Sequence, residues 1–392
     1  MTATLTSPGT EQLCRETLKR LLPLRTDRPV VLTLYLRLEG NDRIRNGYRL
    51  TVREAIHRLV ASGAYTARPT SERAGIDRDL ERITAHLDIV SGLPHTPGLV
   101  IVACDARGVF EVIPLPHVLQ TRLLTGTRPH LAEARAALDD FRRIVVAAVD
   151  RTHARFFEVD AFACHELPGL ALVATRGGKF HSDRADAPGM GERDFHNRIR
   201  EERHRRAAAV ARQLTRLAAG APCQGIVLAG PLRTTREMVR FLPRQLATML
   251  FGVLPLNPTA VSPAEIREAA LTLRAEHLRS QEARLLQDLT DAIGTGWAVK
   301  GLRPALTALG QGQVRTLVVP AGQVVSGVRC VQSGRLAASV AECQDEGGVV
   351  PVPDLIGEAL EEALDQEVEV VVLEDLRLAT RVDRMAAFLR FR

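Results

Sequence analysis

An α/β fold divided over several domains follows from three features of the sequence. Its 392 residues are about two to three times a typical domain, so several independent cores are expected. Short apolar runs alternate with stretches of helical periodicity. Examples are Val30–Leu36 (VVLTLYL), Ile144–Asp150 (IVVAAVD) and Gly225–Ala229 (GIVLA), the lengths of buried strands. Finally, Ser262, Pro263 and Glu265 supply an N-cap, a proline at the first helical position and an N3 acid, a start signal that opens a new unit.

In chain order, Glu11 to Leu22 reads as an amphipathic helix and Val30 to Leu36 as a buried strand. Arg45 to Val60 and Asp77 to Val90 read as helices. Leu99 to Cys104 and Val109 to Ile113 form a strand pair turning at Arg107-Gly108, and a polar helix from Pro129 to Phe141 closes a first domain, 1–142. The second domain, 143–260, opens with IVVAAVD and its hairpin partner ARFFEVD from Ala154. The segment Thr175 to Asp194, rich in Gly, Asp and Arg, has no apolar period and reads as a loop, of a length that is usually functional or disordered. Phe195 to Ala218 is a helix with Ile199, Val210, Leu214 and Leu217 inward and Arg198, Arg205, Arg212 and Arg216 together outside. After GIVLA, Gly230-Pro231 leads into a helix for which Thr234 and Glu237 have the form of a capping box. The third domain, 261–392, begins with a helix to about Ile293. Leu302 to Leu309 (helix), VRTLVVP from Val314 (strand), Asp354 to Leu364 (helix) and EVEVVVL (strand) follow, and the chain ends in MAAFLRF.

The composition, 45% hydrophobic and 25% charged, excludes a fibrous or disordered chain. No run approaches the roughly 20 apolar residues of a membrane span, and Met1 to Cys14 lacks a signal-peptide pattern, so a cytoplasmic protein without a membrane partner is expected. The six cysteines are scattered and form no CxxC pair, which fits free thiols in a reducing compartment. A net charge of +6 favours anionic partners. Its distribution says more, because eight arginines crowd between Arg193 and Arg216.

Several segments in order resemble the class-I peptide-chain release factor superfamily of archaea and eukaryotes, in its bacterial, Pelota-like branch. They are VVLTLYLRLEG near the start, AAVDRTHARFFEV, RGGK, FHNRIREERHRRAAAVARQL, LAGPLRTTREMVRFLP, GLRPALTALGQGQVRTLVV, PDLIGEALEEAL and the terminal AAFLRF. The resemblance implies three domains: an N-terminal α/β domain, an RNase H-like middle domain, and a C-terminal α/β domain resembling the ribosomal-protein fold that binds RNA kink-turns. It implies the ribosome and/or tRNA as partners and peptidyl-tRNA hydrolysis in ribosome rescue. No stop-codon-reading motif, GTPase partner, DNA partner or cofactor is assigned.

Release factors hydrolyse peptidyl-tRNA with a Gly-Gly-Gln loop between a strand and a basic helix. The matching position reads Arg176-Gly177-Gly178-Lys179. Two glycines allow φ > 0 and close approach to the ester, and a backbone amide can face the oxyanion. Lys179 departs from the pattern: lysine donates hydrogen bonds only, whereas glutamine also accepts one from the attacking water. The catalytic candidates are Gly177, Gly178 and Lys179, and the RNA-binding candidates are Arg176, Arg198, Arg205, Arg212 and Arg216. The alternative is a non-catalytic RNA- or ribosome-binding protein that retains the fold.

Cys330, Ser333, Cys343 and Glu346 have the spacing of a degenerate zinc ribbon in which each second cysteine is replaced. Without four N/S ligands, a metal-free relic loop is expected and no metal is assigned. Asp150, His153, Asp183, Asp186, His196 and His204 could on paper build a metal nuclease. Asp150 reads instead as closing a strand turn. Gly230-Pro231 lacks the glycines and lysine of a phosphate-binding loop, so nucleotide hydrolysis is not indicated.

Overall fold

The computed structural model describes residues 10–26, 30–38, 46–89, 93–94, 96–172, 190–344 and 346–391, with the side chains of 64, 190–199 and 376 left out. Two compact units emerge. One combines 1–140 with 279–392, and the other is 141–278.

The N-terminal part of the first unit comprises α1 (Thr10–Leu21), β1 (Val31–Arg37), α2 (Gly47–Val60), α3 (Thr70–Asp88), β2 (Gly98–Cys104), β3 (Val109–Leu115), β4 (Arg122–Gly126) and α4 (Ala132–Asp140). Its antiparallel sheet runs β3-β2-β1-β4. Leu32, Leu34 and Leu36 alternate onto one face, where they meet Leu99 and Ile101 of β2, Tyr48 and Val52 of α2, and Ile76, Leu80 and Ile83 of α3. The β2–β3 turn falls where the sequence puts it. A 3₁₀ turn, Asp105–Arg107, ends at Gly108 with φ 63°, a left-handed position that glycine adopts without a Cβ penalty. The short strand β4 has no clear sequence signal and is specified by pairing with the free edge of β1.

The middle unit holds β5 (Ile144–Val149), β6 (His153–Val159), β7 (Cys164–Ala171), α5 (Met190–Gly220), β8 (Gly225–Ala229), α6 (Leu232–Val239), β9 (Leu250–Leu254) and the first half of α7 (Pro263–Gly294). The sheet order is β7-β6-β5-β8-β9; β5, β8 and β9 are parallel, whereas β6 is antiparallel to both β5 and β7. Val145, Ala147 and Phe156 face Val210 and Leu214 of α5 and Met238 of α6. Val146, Ala148 and Phe157 face Ile266 and Ala270 of α7. The sheet is mixed, with helices on both faces. The capping box at Ser262 forms in full: the Ser262 amide donates to Glu265 (2.8 Å) and the Glu265 amide donates to the Ser262 hydroxyl (3.3 Å). The box expected at Thr234 and Glu237 does not form. The helix already starts at Leu232, and Glu237 lies inside it, beside Arg233 (3.6 Å) and Arg203 (3.7 Å).

Beyond Arg279, the C-terminal part of the first unit contains the rest of α7, β10 (Ala298–Lys300), α8 (Leu302–Gly310), β11 (Val314–Pro320), β12 (Gly327–Cys330), β13 (Leu336–Ala337), β14 (Val349–Val352), α9 (Leu355–Asp365), β15 (Glu369–Leu373) and β16 (Ala386–Leu389). One sheet runs β10-β16-β11-β15, so the terminal AAFL run is an interior strand. Helices α8 and α9 pack on one face through Leu306, Leu309, Leu355 and Leu360, and Leu286 and Leu289 of α7 pack on the other. A separate three-stranded sheet, β13-β12-β14, and its connections carry the four ribbon positions, with Cys330 closing β12 and the other three between strands.

The free-thiol expectation fails there. Cys14, Cys104, Cys164 and Cys223 are free, but Cys330 and Cys343 are joined as a disulfide. The β12–β13 turn and the 3₁₀ turn Val340–Cys343 fold 13 residues of chain back on themselves and bring the two Cα atoms to 5.4 Å, within bridging range. Beside the disulfide, the Ser333 hydroxyl hydrogen-bonds the Glu346 carboxylate, which also accepts from Arg335 Nε at 2.7 Å. The four positions therefore do converge, held by a covalent bond and by hydrogen bonds to the Glu346 carboxylate.

Candidate RNA-binding interface of the middle unit

Helix α5 is built to project charge. Its 31 residues extend roughly 46 Å at 1.5 Å per residue. Ala207, Val210, Ala211 and Leu214 recur at the spacing of one face and are buried against β5, β6 and β8. At about 100° per residue, Arg205, Arg212 and Arg216 cluster within roughly 40° of one another, on the opposite side. All three are exposed. Arg205 pairs with Glu201 one turn earlier, an exposed i,i+4 contact that leaves most of its surface in solvent. Arg212 and Arg216 make no ion pair among the described residues.

Two arginines without any motif signal fix the helix on the sheet. Arg206 donates to the carbonyl of Arg151 in the β5–β6 turn (2.7 Å). At the C-terminus of the helix, Arg143 donates to the carbonyls of Leu217 (2.6 Å) and Ala221 (2.8 Å) while holding Glu158 at 2.9 Å. Those carbonyls lie at the helix C-terminus, where the chain lacks amide partners of its own and where a cation also opposes the helix dipole.

Residues 173–189, which join β7 to α5, lie outside the described residues, and with them Arg176, Gly177, Gly178 and Lys179. The side chain of Arg198 is likewise outside, although its backbone belongs to α5.

Among the described residues, those of the nuclease reading do not form a metal-binding group. Asp150 closes the β5–β6 turn, as expected, by accepting from the amides of Thr152 and His153, each at 2.6 Å. Partial burial raises the carboxyl's pKa, but those amides and the Thr152 hydroxyl hold it below its ordinary value. His153 contacts Thr152 Oγ1, and His204 packs edge-on against Phe241, with ring centroids 4.8 Å apart. Asp183, Asp186 and the side chain of His196 lie outside the described residues. Gly230, after β8, has φ 145° and approaches the carbonyl of Val149 so closely that a Cβ would lie 2.3 Å from that oxygen. Its glycine serves strand packing.

One family model matches the chain over residues 129–275, which contain the whole middle unit up to the first turns of α7: bacterial archaeo-eukaryotic release factor family 10. Over those residues the chain is similar to that family. Among solved structures, the chain is similar to Archaeoglobus fulgidus Pelota, at 16% identity over 75% of this chain and 79% of that one (TM-score 0.37). It is similar to S. cerevisiae Dom34, at 10% identity over 75% and 79% (TM-score 0.39). A ribosome-bound archaeal Pelota aligns over 96% of this chain and 94% of that one at 15% identity (TM-score 0.41). No curated protein matches. Among the described residues no helix is long and apolar enough to cross a membrane.

Proposed function

We propose that the chain is a ribosome- or tRNA-associated factor of release-factor type. In this reading α5 lies along RNA phosphates and the tip Arg176-Gly177-Gly178-Lys179 is carried to the ester that joins peptide to tRNA. One observation supports it above others: Arg205, Arg212 and Arg216 share an exposed face of a helix anchored at its middle and its C-terminus, inside the segment that matches the release-factor family. Point charges along one face suit phosphate contact, which positions a protein without reading sequence.

At the tip, Gly177 and Gly178 would let the backbone approach the ester and offer an amide to the oxyanion. Lys179 would add a cation near the developing negative charge. It cannot accept a hydrogen bond from the attacking water, so another group, such as a ribose hydroxyl of the RNA, would have to orient that water.

Lys179 also favours a second reading, a non-catalytic RNA- or ribosome-binding protein. The two are separated by incubating the purified protein with stalled ribosome–nascent-chain complexes and measuring released peptide. Release that is lost in Gly178→Ala and reduced in Lys179→Ala, with co-sedimentation unchanged, supports hydrolysis. Co-sedimentation without release supports the binding role, and absence from the ribosomal fraction removes both.

A further inference from the structure

A second charged surface of the middle unit lies on a different side of α5 from Arg205, Arg212 and Arg216. Around the helix axis, Arg203 and His204 stand about 160° and about 100° from Arg205. Both are exposed, and both meet the stretch that begins with α6. Arg203 reaches Glu237 at 3.7 Å, and the His204 ring meets Phe241 edge-on, with centroids 4.8 Å apart and an interplanar angle of 80°. These two contacts fix a corner between α5 and α6.

Helix α6 buries Thr235 and Met238 and turns Arg233, Arg236 and, at its C-cap, Arg240 into solvent. At i, i+3 and i+7 the three fall within about 60° of one another along roughly 10 Å of axis. Residues 230–249 carry four arginines and one acid, Glu237, which stands against Arg233 (3.6 Å) as well as Arg203. Arg236, Arg240 and Arg244 make no ion pair among the described residues. The surplus is therefore cationic and open to a polyanion. Phe241, between Arg240 and Arg244 in the chain, keeps 38% of its surface in solvent beside the exposed His204 ring. A row of cations next to exposed rings is the combination that holds single strands, the phosphates on the cations and a base face on a ring. An acidic peptide would satisfy the arginines and leave the rings in water.

We propose that this corner binds an unpaired stretch of RNA, with Arg233, Arg236 and Arg240 on its phosphates and one base stacked on the Phe241–His204 pair. The choice of RNA as the strand rests on the ribosome- or tRNA-associated reading. The stacking surface itself uses none of the arginines that reading assigns, and it stands whether or not the Arg205–Arg216 face meets RNA.

Fluorescence anisotropy of the full chain with a labelled adenylate RNA decamer, and with an abasic decamer of equal phosphate count, tests it. The adenylate strand is expected to bind about tenfold tighter, as one stacked base allows. Phe241→Leu keeps an apolar side chain but removes the ring, and it should erase that difference while leaving the abasic strand's affinity as it was; Phe241→Trp should preserve the difference. Replacing Arg233, Arg236 and Arg240 together by Ala should lower the dependence of log K on log salt by roughly 2 for both strands, at about 0.7 per phosphate contact. All three are exposed, so the melting temperature should stay that of the parent. The adenylate preference should persist when Arg205, Arg212 and Arg216 are replaced by Ala, which separates a failure of the α5 face from a failure of this corner. Equal affinity for the two strands, a preference that survives Phe241→Leu or disappears with the α5 arginines, or displacement of the adenylate strand by an equal concentration of a glutamate decapeptide overturns the proposal.

Discussion

The backbone amide of Ala132, the opening residue of α4, donates a 2.7 Å hydrogen bond to Oε1 of Glu361 in the middle of α9. A side chain 229 residues away in sequence thus satisfies one of the amides that a helix start leaves without a partner. Around it, Arg128 meets Asp365 and Glu358, and Arg122 meets Asp354, so the N- and C-terminal parts of the first unit are joined by buried and half-buried charge.

Glu361 should make that junction pH-dependent. Burial raises its carboxyl from 4.5 to about 7, against the Ala132 amide and Arg128, which favour the charged form. The folded state therefore keeps a proton that the unfolded chain releases above its ordinary value. The resulting stability is complete below 4.5 and is lost as pH rises to about 7. Glu361→Gln still accepts from Ala132 and has no charge to bury. Urea titrations should find the variant gaining on the parent between pH 5 and 8 by up to about 3 kcal/mol. An equal difference at both ends would show that Glu361 ionises normally.

For the α5 face, the expected signature is a change of salt slope. Replacing Arg205, Arg212 and Arg216 together by Ala should reduce the dependence of log K for single-stranded RNA on log salt by roughly 2, at about 0.7 per phosphate contact. Filter binding at several salt concentrations measures it, and an unchanged slope takes the helix out of the interface.

Gly230→Ala tests how the β5–β8 end is packed. The backbone conformation is one that L residues rarely adopt, and the new methyl would meet the Val149 carbonyl. A loss of roughly 2 to 6 kcal/mol is expected from strain and overpacking combined. Chemical denaturation of the variant gives the number, and a loss under 1 kcal/mol would mean that the turn relaxes.

Reducing the disulfide should act locally. Opening a loop of 13 residues removes about 3 kcal/mol of chain constraint. Amides of β12, such as Val328 and Arg329, should then exchange with deuterium faster in the Cys330→Ala/Cys343→Ala variant, with β5 and β8 unaffected. Uniform acceleration across both units would contradict a local staple.

Much of this molecule was legible in the order of its residues because strong local patterns agree with the tertiary context. Val145, Val146 and Ala147 are apolar without alternation, as a strand covered on both faces must be, and Ser262 with Glu265 closes its cap within four residues of chain. Helix α5 shows its buried and charged faces at one period. Elements whose stability comes from neighbours left weaker marks: β4 and β9 are five residues long and β10 three, and each is specified by the strand it pairs with. Thr234 and Glu237 matched a cap by spacing alone, but Leu232 had already entered the helix.

Charge density, the diglycine tip and the α/β alternation are properties of contiguous residues, so the sequence by itself determined them. Which distant groups meet was decided only in three dimensions: Cys330 with Cys343 across a folded ribbon, Arg206 with the Arg151 carbonyl, and Glu361 with Ala132. These contacts pair single atoms brought together by chain reversal and strand pairing. No period or spacing encodes them, because their energy depends on burial and on partners many residues away.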